Sequence, residues 1–255
     1  MSEESAQKLD RTRYSIRAVD ISDENQIRAH AGNFDAVIHC ASTRGGGVDA
    51  YRQVYLNGAA NLVRRFDGSR ILFTSSTSVY AQTNGELVTE ENAAQPKHES
   101  GKVLRETEDL ILASRGVVVR LAGIYGPGRS ALLKKFLNED AIIDPENDRF
   151  VNQIHRDDAA TAILLLLKLD DSAGQIFNVV DDQAILQSDC YRWLAAKLTR
   201  PIPPIGRSTS EQKRGRSNKR VSNAKLQAAG WSPRYPNFAT GMQESVLPNL
   251  LSKGA

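Results

Sequence analysis

Residues 34–74 read FDAVIHCASTRGGGVDAYRQVYLNGAANLVRRFDGSRILFT. Two short apolar runs, Phe34–Cys40 and Arg70–Thr74, flank a segment of helical periodicity over Tyr51–Phe66, where Tyr51, Val54, Tyr55, Leu62 and Val63 recur on one side. A continuous apolar run such as FDAVIHC suits a strand covered on both faces. Strand, helix, strand is a βαβ unit, and it predicts parallel pairing.

The alternation continues on both sides. Upstream, YSIRAV at Tyr14–Val19 is a strand candidate, followed by the Asp-rich helix start DISDENQIRAH. Downstream, Gly101–Ala113 reads as helix and Gly116–Leu121 as a buried strand closed by the turn-rich GIYGPG. Asp157–Leu169 reads as a helix whose two leading acids suit the positive end of its dipole. Gln175–Val180 is a further strand, and the expected class is α/β with a Rossmann-type doubly wound parallel sheet. After Gln183 the texture changes to an amphipathic helix at Ser188–Leu198, a break at Pro201, Pro203 and Pro204, a basic stretch, and a short helix at Ser222–Ala229. The reading is a core over residues 1–180 and a smaller, loop-rich C-terminal region over 181–255.

The 255 residues are 40% hydrophobic and 25% charged, an ordinary globular profile. The longest apolar run, Ile163–Leu167, falls far short of the roughly 18 residues of a membrane span. The polar start MSEESAQKLDRTR is not a secretory signal. Cys40 and Cys190 are too few for a disulfide framework, and their apolar contexts read as buried, reduced thiols of a cytoplasmic protein. The net charge of +3 is uneven: Arg207–Lys225 holds seven Lys/Arg and one acid, Glu211. A single short basic patch without interleaved aromatics argues against nucleic acid as the partner, while it can meet a phosphate.

Several segments stand in the order of a known set. They are Asp20-Ile21, VIHCAS (Val37–Ser42), Asn57, FTSSTSVYA (Phe73–Ala81), VRLAGIYGPG (Val119–Gly128), NQIHRDDAATAI (Asn152–Ile163) and KRVSNAKLQAAGWSPRY (Lys219–Tyr235). Together they resemble the extended short-chain dehydrogenase/reductase superfamily, in its NAD-dependent epimerase/dehydratase branch, over roughly Ile16–Tyr235. FTSSTSVY with SGKVLRETED (Ser100–Asp109) is most similar to atypical members without the usual catalytic residues.

The resemblance implies NAD or NADP as cofactor, with Asp20 and Ile21 at the adenine and Ala41, Ser42 and Asn57 lining the site. The small-molecule substrate would be a sugar nucleotide or related hydroxyl compound, and Arg216 or Arg220 would meet its phosphate. Ser76 stands where the family places a hydroxyl donor to the substrate. The family's Tyr-x-x-x-Lys pair is similar to His98-Glu-Ser-Gly-Lys102, so that His98 would replace the acid/base and Lys102 would bind the cofactor ribose. The i, i+4 spacing puts both on one helix face. An imidazole, with a reference pKa of about 6.5 against about 10 for a phenol, can exchange protons at neutral pH. The alternative is a catalytically inactive homologue that serves as a binding or scaffold protein.

The family pattern opens with a strand, a G-x-x-G-x-x-G turn and a helix, the turn cradling the pyrophosphate. Nothing before Asp20 reads as that unit, which leaves cofactor binding without its phosphate cradle; about 40 residues of the pattern are expected to be missing, on the scale of one βαβ unit. Gly45-Gly46-Gly47 follows the wrong strand and reads as a flexible loop. Without strands one and two, the apolar VIHCA run becomes a sheet edge, and three outcomes stand open: a start further upstream, direct pairing of the third strand with the fourth, or a homo-oligomer or partner chain that covers the edge.

The remaining candidates have structural readings. His39 reads as a core residue, His155 as structural, His30 as exposed, and Tyr80 and Tyr125 as buried packing. No His/Cys/Asp/Glu set has metal-ligand spacing, and Ser76 is not in a G-x-S-x-G elbow. Asp157 and Asp158, adjacent on a helix, read as capping residues.

Overall fold

The structure, a computed structural model, describes residues 3–7, 9, 12–29, 32–43, 45–207 and 217–251. The strands Ala36–His39, Arg70–Ser76, Val117–Leu121 and Ile176–Val179 lie in that order in one parallel sheet, so the predicted α/β class holds. In the first pair Ala36 sits opposite Arg70 and His39 opposite Phe73.

Two readings are corrected at the edge of this sheet. Tyr14–Val19 forms no strand: the chain turns at Ile21-Ser22 straight into the helix Glu24–Arg28, and Tyr14 is 64% exposed. Ala36–His39 is an edge strand, as expected in the absence of strands one and two, but it is not covered on both faces. Ile38 is 41% and Phe34 53% exposed, and the Cys40 thiol, expected to be buried, is exposed, while Cys190 is buried.

The chain divides into two compact units. The first comprises Met1–Ser75, His98–Val118 and Asp170–Gln175. Its helix Glu24–Arg28 starts at Asp23, whose carboxylate accepts the N–H of Asn25 (2.9 Å) and Gln26 (3.2 Å), a side-chain cap. The predicted helix near Tyr51–Phe66 is a continuous helical run over residues 48–65, with Arg52–Asn57 wound as a π-helix. Arg52 reaches Glu106 of the helix Glu99–Ala113 at 3.1 Å. Leu72, Phe73, Ala59, Ile111 and Val117 are fully buried.

The turn from Glu99–Ala113 into the next strand has one steric requirement. Arg115 takes φ 60°, and a Cβ on Gly116 would stand 2.7 Å from Ile111 Cγ2 and 2.8 Å from the Ile71 carbonyl oxygen. Only a residue without a side chain brings the backbone this close.

The second unit comprises Ser76–Lys97, Val119–Leu169 and Ile176–Ala255. It holds three short ladders: Gly123–Tyr125 parallel to Gln153–His155, Glu86–Val88 parallel to Lys219–Val221, and Phe150–Val151 antiparallel to Ile185–Leu186. The helices Arg156–Lys168 and Gln187–Leu198 match the predicted ones within a residue or so. Tyr125, Tyr191, Leu194, Phe238 and Met242 form the centre of its core.

Replacing Gly116 by Ala should cost about 1–3 kcal/mol, the usual range for overpacking, whereas Ala at Gly47, where a Cβ meets nothing within 4 Å, should be close to neutral. Urea unfolding of both variants checks this; equal midpoints would remove the steric reading.

Candidate functional site

The residues assigned to the adenine and ribose side gather in the first unit. Ile21 lies against the helical run: a Cβ on Gly58 would come within 2.8 Å of Ile21 Cδ1 and 3.6 Å of His39 Nε2. The Ile21 carbonyl accepts Asn61 Nδ2–H at 2.9 Å. Ile21, the Asn57-Gly58 step and the C-terminal end of the strand Ala36–His39 therefore meet. Ala41, Ser42 and Asn57 are exposed there. Open parallel sheets bind ligands at the carboxyl ends of their strands. Asp20 is exposed as well, its Oδ1 accepting both the N–H (2.9 Å) and the hydroxyl (2.7 Å) of Ser22.

His39 is buried, as its apolar strand predicts. Its Nε2 lies 3.1 Å from the Val54 carbonyl, its ring packs against Tyr55 and Phe73, and Nδ1 has no partner. Burial holds this imidazole below its ordinary pKa, that is, neutral.

His98 and Lys102 stand at the opening of the helix Glu99–Ala113. His98 is the N-cap residue, exposed, and its ring makes no capping bond. Lys102 is exposed and paired with Glu99 at 2.6 Å. In the second unit, Ser76 ends its strand half-buried, and its Oγ accepts the N–H of Ser78 at 3.2 Å. A hydroxyl that accepts in this way keeps its proton to donate. Arg220 is exposed, donates Nε–H to the Gly85 carbonyl at 2.9 Å and lies over the Phe150 ring. Arg216 and His30 lie outside the described residues.

His155 and Ser245 invite comparison with a nucleophile and its base, at 3.0 Å with Asp157 Oδ2 3.7 Å from the other ring nitrogen. The hydrogen bonds exclude that role. His155 Nδ1 accepts the Asp157 N–H (3.2 Å) as the N-cap of the helix Arg156–Lys168, so the ring proton sits on Nε2 and is donated to Ser245. A general base needs that nitrogen free to accept. The structural reading of His155 stands.

Asp158 corrects the capping assignment. Its carboxylate is buried and accepts the N–H of Arg234 (2.8 Å) and Tyr235 (3.0 Å), tying the helix to the GWSPRYP segment. Tyr80 and Tyr125 are buried as read. Tyr80 accepts Arg120 Nη1–H (2.7 Å) and donates to Asn178 Oδ1 (3.0 Å); Tyr125 donates to the Asn237 carbonyl at 3.4 Å.

Two ionisable residues were passed over in the sequence. Asp181 is 3% exposed, with Oδ1 unpartnered, and burial raises its pKa well above the carboxylate range. Its signal was the apolar run FNVV leading straight into it. Lys219 is 5% exposed, and the alternation of Lys219 and Val221 about the exposed Arg220 marked its inward face.

The model of the NAD dependent epimerase/dehydratase family matches residues 2–179. The chain belongs to that family. It is 33% identical over 173 residues to Protein YeeZ of Escherichia coli (strain K12), covering 66% of this chain and 59% of YeeZ, less than two thirds of that relative's length. Among solved structures it is similar to a Methylobacillus flagellatus protein provisionally named an NAD-dependent epimerase/dehydratase (26% identity, TM-score 0.73, 99% of this chain and 93% of that one). It also shares its fold with RMD from Pseudomonas aeruginosa, solved with NADPH (22% identity, TM-score 0.74, 93% and 87% of the two chains).

Because burial raises the Asp181 pKa, this carboxyl stabilises the fold most below its unfolded pKa, and that contribution is lost as pH rises toward the native one. Asp181→Asn should therefore match the parent near pH 4 and become progressively more stable than it toward pH 8, by at most about 1.4 kcal/mol per pH unit. Urea midpoints of the two proteins across that range measure it; a constant difference would contradict the burial of an uncharged carboxyl.

Proposed function

We propose that this chain is an NAD(P)-dependent oxidoreductase of the epimerase/dehydratase type, acting on a hydroxyl of a sugar nucleotide or related small molecule. The observation that carries the reading is the gathering of Ile21, Asn57-Gly58 and the end of the strand Ala36–His39, in a chain of this family. The residues present fit the nucleoside part of the cofactor. Ala41 and Ser42 are small and exposed beyond the strand end, and Asp20, exposed and next to Ile21 in sequence, offers a carboxylate acceptor. When bound, the nicotinamide would accept or supply the hydride.

In this reading Asp20 and Ile21 take the adenine, Ala41, Ser42 and Asn57 line the cofactor, and Lys102 takes the ribose. Ser76 donates its hydroxyl proton toward the reacting oxygen, a role its accepted bond from Ser78 leaves open. His98 exchanges the substrate proton from its exposed ring. Arg216 or Arg220 meets the substrate phosphate. The exposed Cys40 thiol suits a reducing cytoplasm, and a second copy or partner chain covers the apolar edge where Ile38 is exposed.

A second reading, a binding or scaffold protein without turnover, is favoured by the state of the Tyr-x-x-x-Lys equivalents. His98 stands at a helix cap and Lys102 is already paired with Glu99.

Titration of NADH and NADPH into the folded chain should give saturable one-to-one binding of at least one of them. No binding would end the cofactor reading. With a turnover assay in hand, Ser76→Ala should lower kcat by about 10²-fold, the cost of losing one aimed donor, and His98→Ala should abolish turnover. Binding without turnover over a broad panel of hydroxyl substrates would favour the second reading.

A further inference from the structure

A cavity of about 360 Å³ opens in the second unit, lined by none of the residues assigned above to cofactor or substrate. Phe136 and Ala141 form its buried lining, and Pro201-Ile202-Pro203-Pro204 forms a wall. That wall is held in place: the Ile143 N–H donates to the Pro204 carbonyl and the Gly206 N–H to the Ile143 carbonyl, both at 3.0 Å. Three prolines of fixed φ leave its backbone little freedom to lose on binding. Ile202 on this wall is 60% exposed, apolar surface that the fold leaves uncovered.

Two side chains of opposite charge share the lining, Glu139 and Arg200. Both are exposed, and among the described residues neither makes an ion pair. Each stands just past the C-terminal end of a helix, Glu139 after Ala131–Leu137 and Arg200 after Gln187–Leu198. Of the three non-glycine residues with positive φ among the described residues, two lie at these ends: Glu139 at 61° and Thr199 at 51°. A left-handed helix end favours Gly or Asn. A carboxylate there also faces the partial negative charge of the helix terminus, which suits Arg200 and opposes Glu139. Glu139 is thus unfavourable to the fold on two counts, and what it adds over a glycine is a carboxylate on the cavity.

The volume is at the small end of ligand pockets, which run from about 300 to 1,000 Å³. The apolar lining calls for an apolar body. A ligand with a single charge would meet one attractive and one repulsive side chain, whereas a ligand with one charge of each sign satisfies both. We propose that this cavity binds a zwitterion of amino-acid size with an apolar side chain. Its carboxylate meets Arg200, its ammonium meets Glu139, and its side chain lies against Phe136, Ile202 and the prolines. The site goes beyond the oxidoreductase reading and stands without it.

L-Leucine and L-phenylalanine are the probes, titrated calorimetrically into the full chain. At least one should bind saturably and one-to-one. Isocaproate, which lacks the ammonium of leucine, and leucinamide, which lacks the carboxylate, should each bind about tenfold or more weakly, the cost of one lost charged hydrogen bond. Glu139→Gly and Arg200→Met should each weaken amino-acid binding about tenfold or more. Glu139→Gly should also keep at least the urea midpoint of the parent, since Gly takes a positive φ without strain, so that lost binding is separated from lost folding. Arg28→Met, which removes an exposed charge of the first unit, should change binding less than about twofold. No binding of either amino acid at about 10 mM, parent-like affinity in either cavity variant, or isocaproate binding as tightly as leucine would each overturn the site.

Discussion

The backbone contact at Gly116 governs how the first unit is assembled. The helix Glu99–Ala113 ends at Ser114, Arg115 turns the chain with a positive φ, and Gly116 passes the Ile71 carbonyl at a distance no Cβ tolerates. Gly174 N–H then bridges the carbonyls of Arg115 and Gly116, both at 3.0 Å, and Val118 N–H bonds the Gln175 carbonyl. One residue without a side chain therefore fixes where the strand Val117–Leu121 enters the sheet, and with it the residues 170–175 that close over the turn. The other first-unit elements tolerate more: the ion pair Arg52–Glu106 is exposed, and surface pairs contribute about 1 kcal/mol or less.

The strands and helices were legible because their signals are local. Arg70–Ser76, Val117–Leu121 and Ile176–Val179 are short apolar runs between turn residues, and Arg156–Lys168 carries its own periodicity. What is not local was misread. YSIRAV has strand composition, but a strand exists only if another chain segment offers it a ladder, and composition does not report that. Cys40 has apolar neighbours in sequence, yet it follows an edge strand and so meets solvent. Ile21 and Asn57, which the resemblance places at the cofactor, converge through the packing of Ile21 on Gly58. Asp158, read as a cap, is occupied by the N–H groups of Arg234 and Tyr235, partners 76 and 77 residues away that no spacing rule reaches.

Among the described residues the second unit buries four Asp, Lys or Arg side chains, and they differ in how fully they are satisfied. Arg120 lies on the Tyr80 ring and donates to its hydroxyl, and Asp158 accepts two backbone N–H groups. Asp181 has one backbone bond, from Gln183, and one empty oxygen; Lys219 has one hydroxyl. A buried charge that is fully hydrogen-bonded orders the chain around it, whereas one left short of partners keeps capacity for something else. By that measure Arg120 and Asp158 belong to the architecture, whereas Asp181 and Lys219 keep hydrogen-bonding capacity that the fold does not use.

The raised pKa of Asp181 also bears on the protein's charge. Between the unfolded and the native pKa of this carboxyl, the native chain holds a proton that the unfolded chain gives up, and is the more positive of the two by up to one unit. Native and denatured forms will therefore differ in electrophoretic mobility in that pH range. Unfolding there releases that proton to the buffer, so the calorimetric heat of unfolding includes the buffer's own heat of protonation.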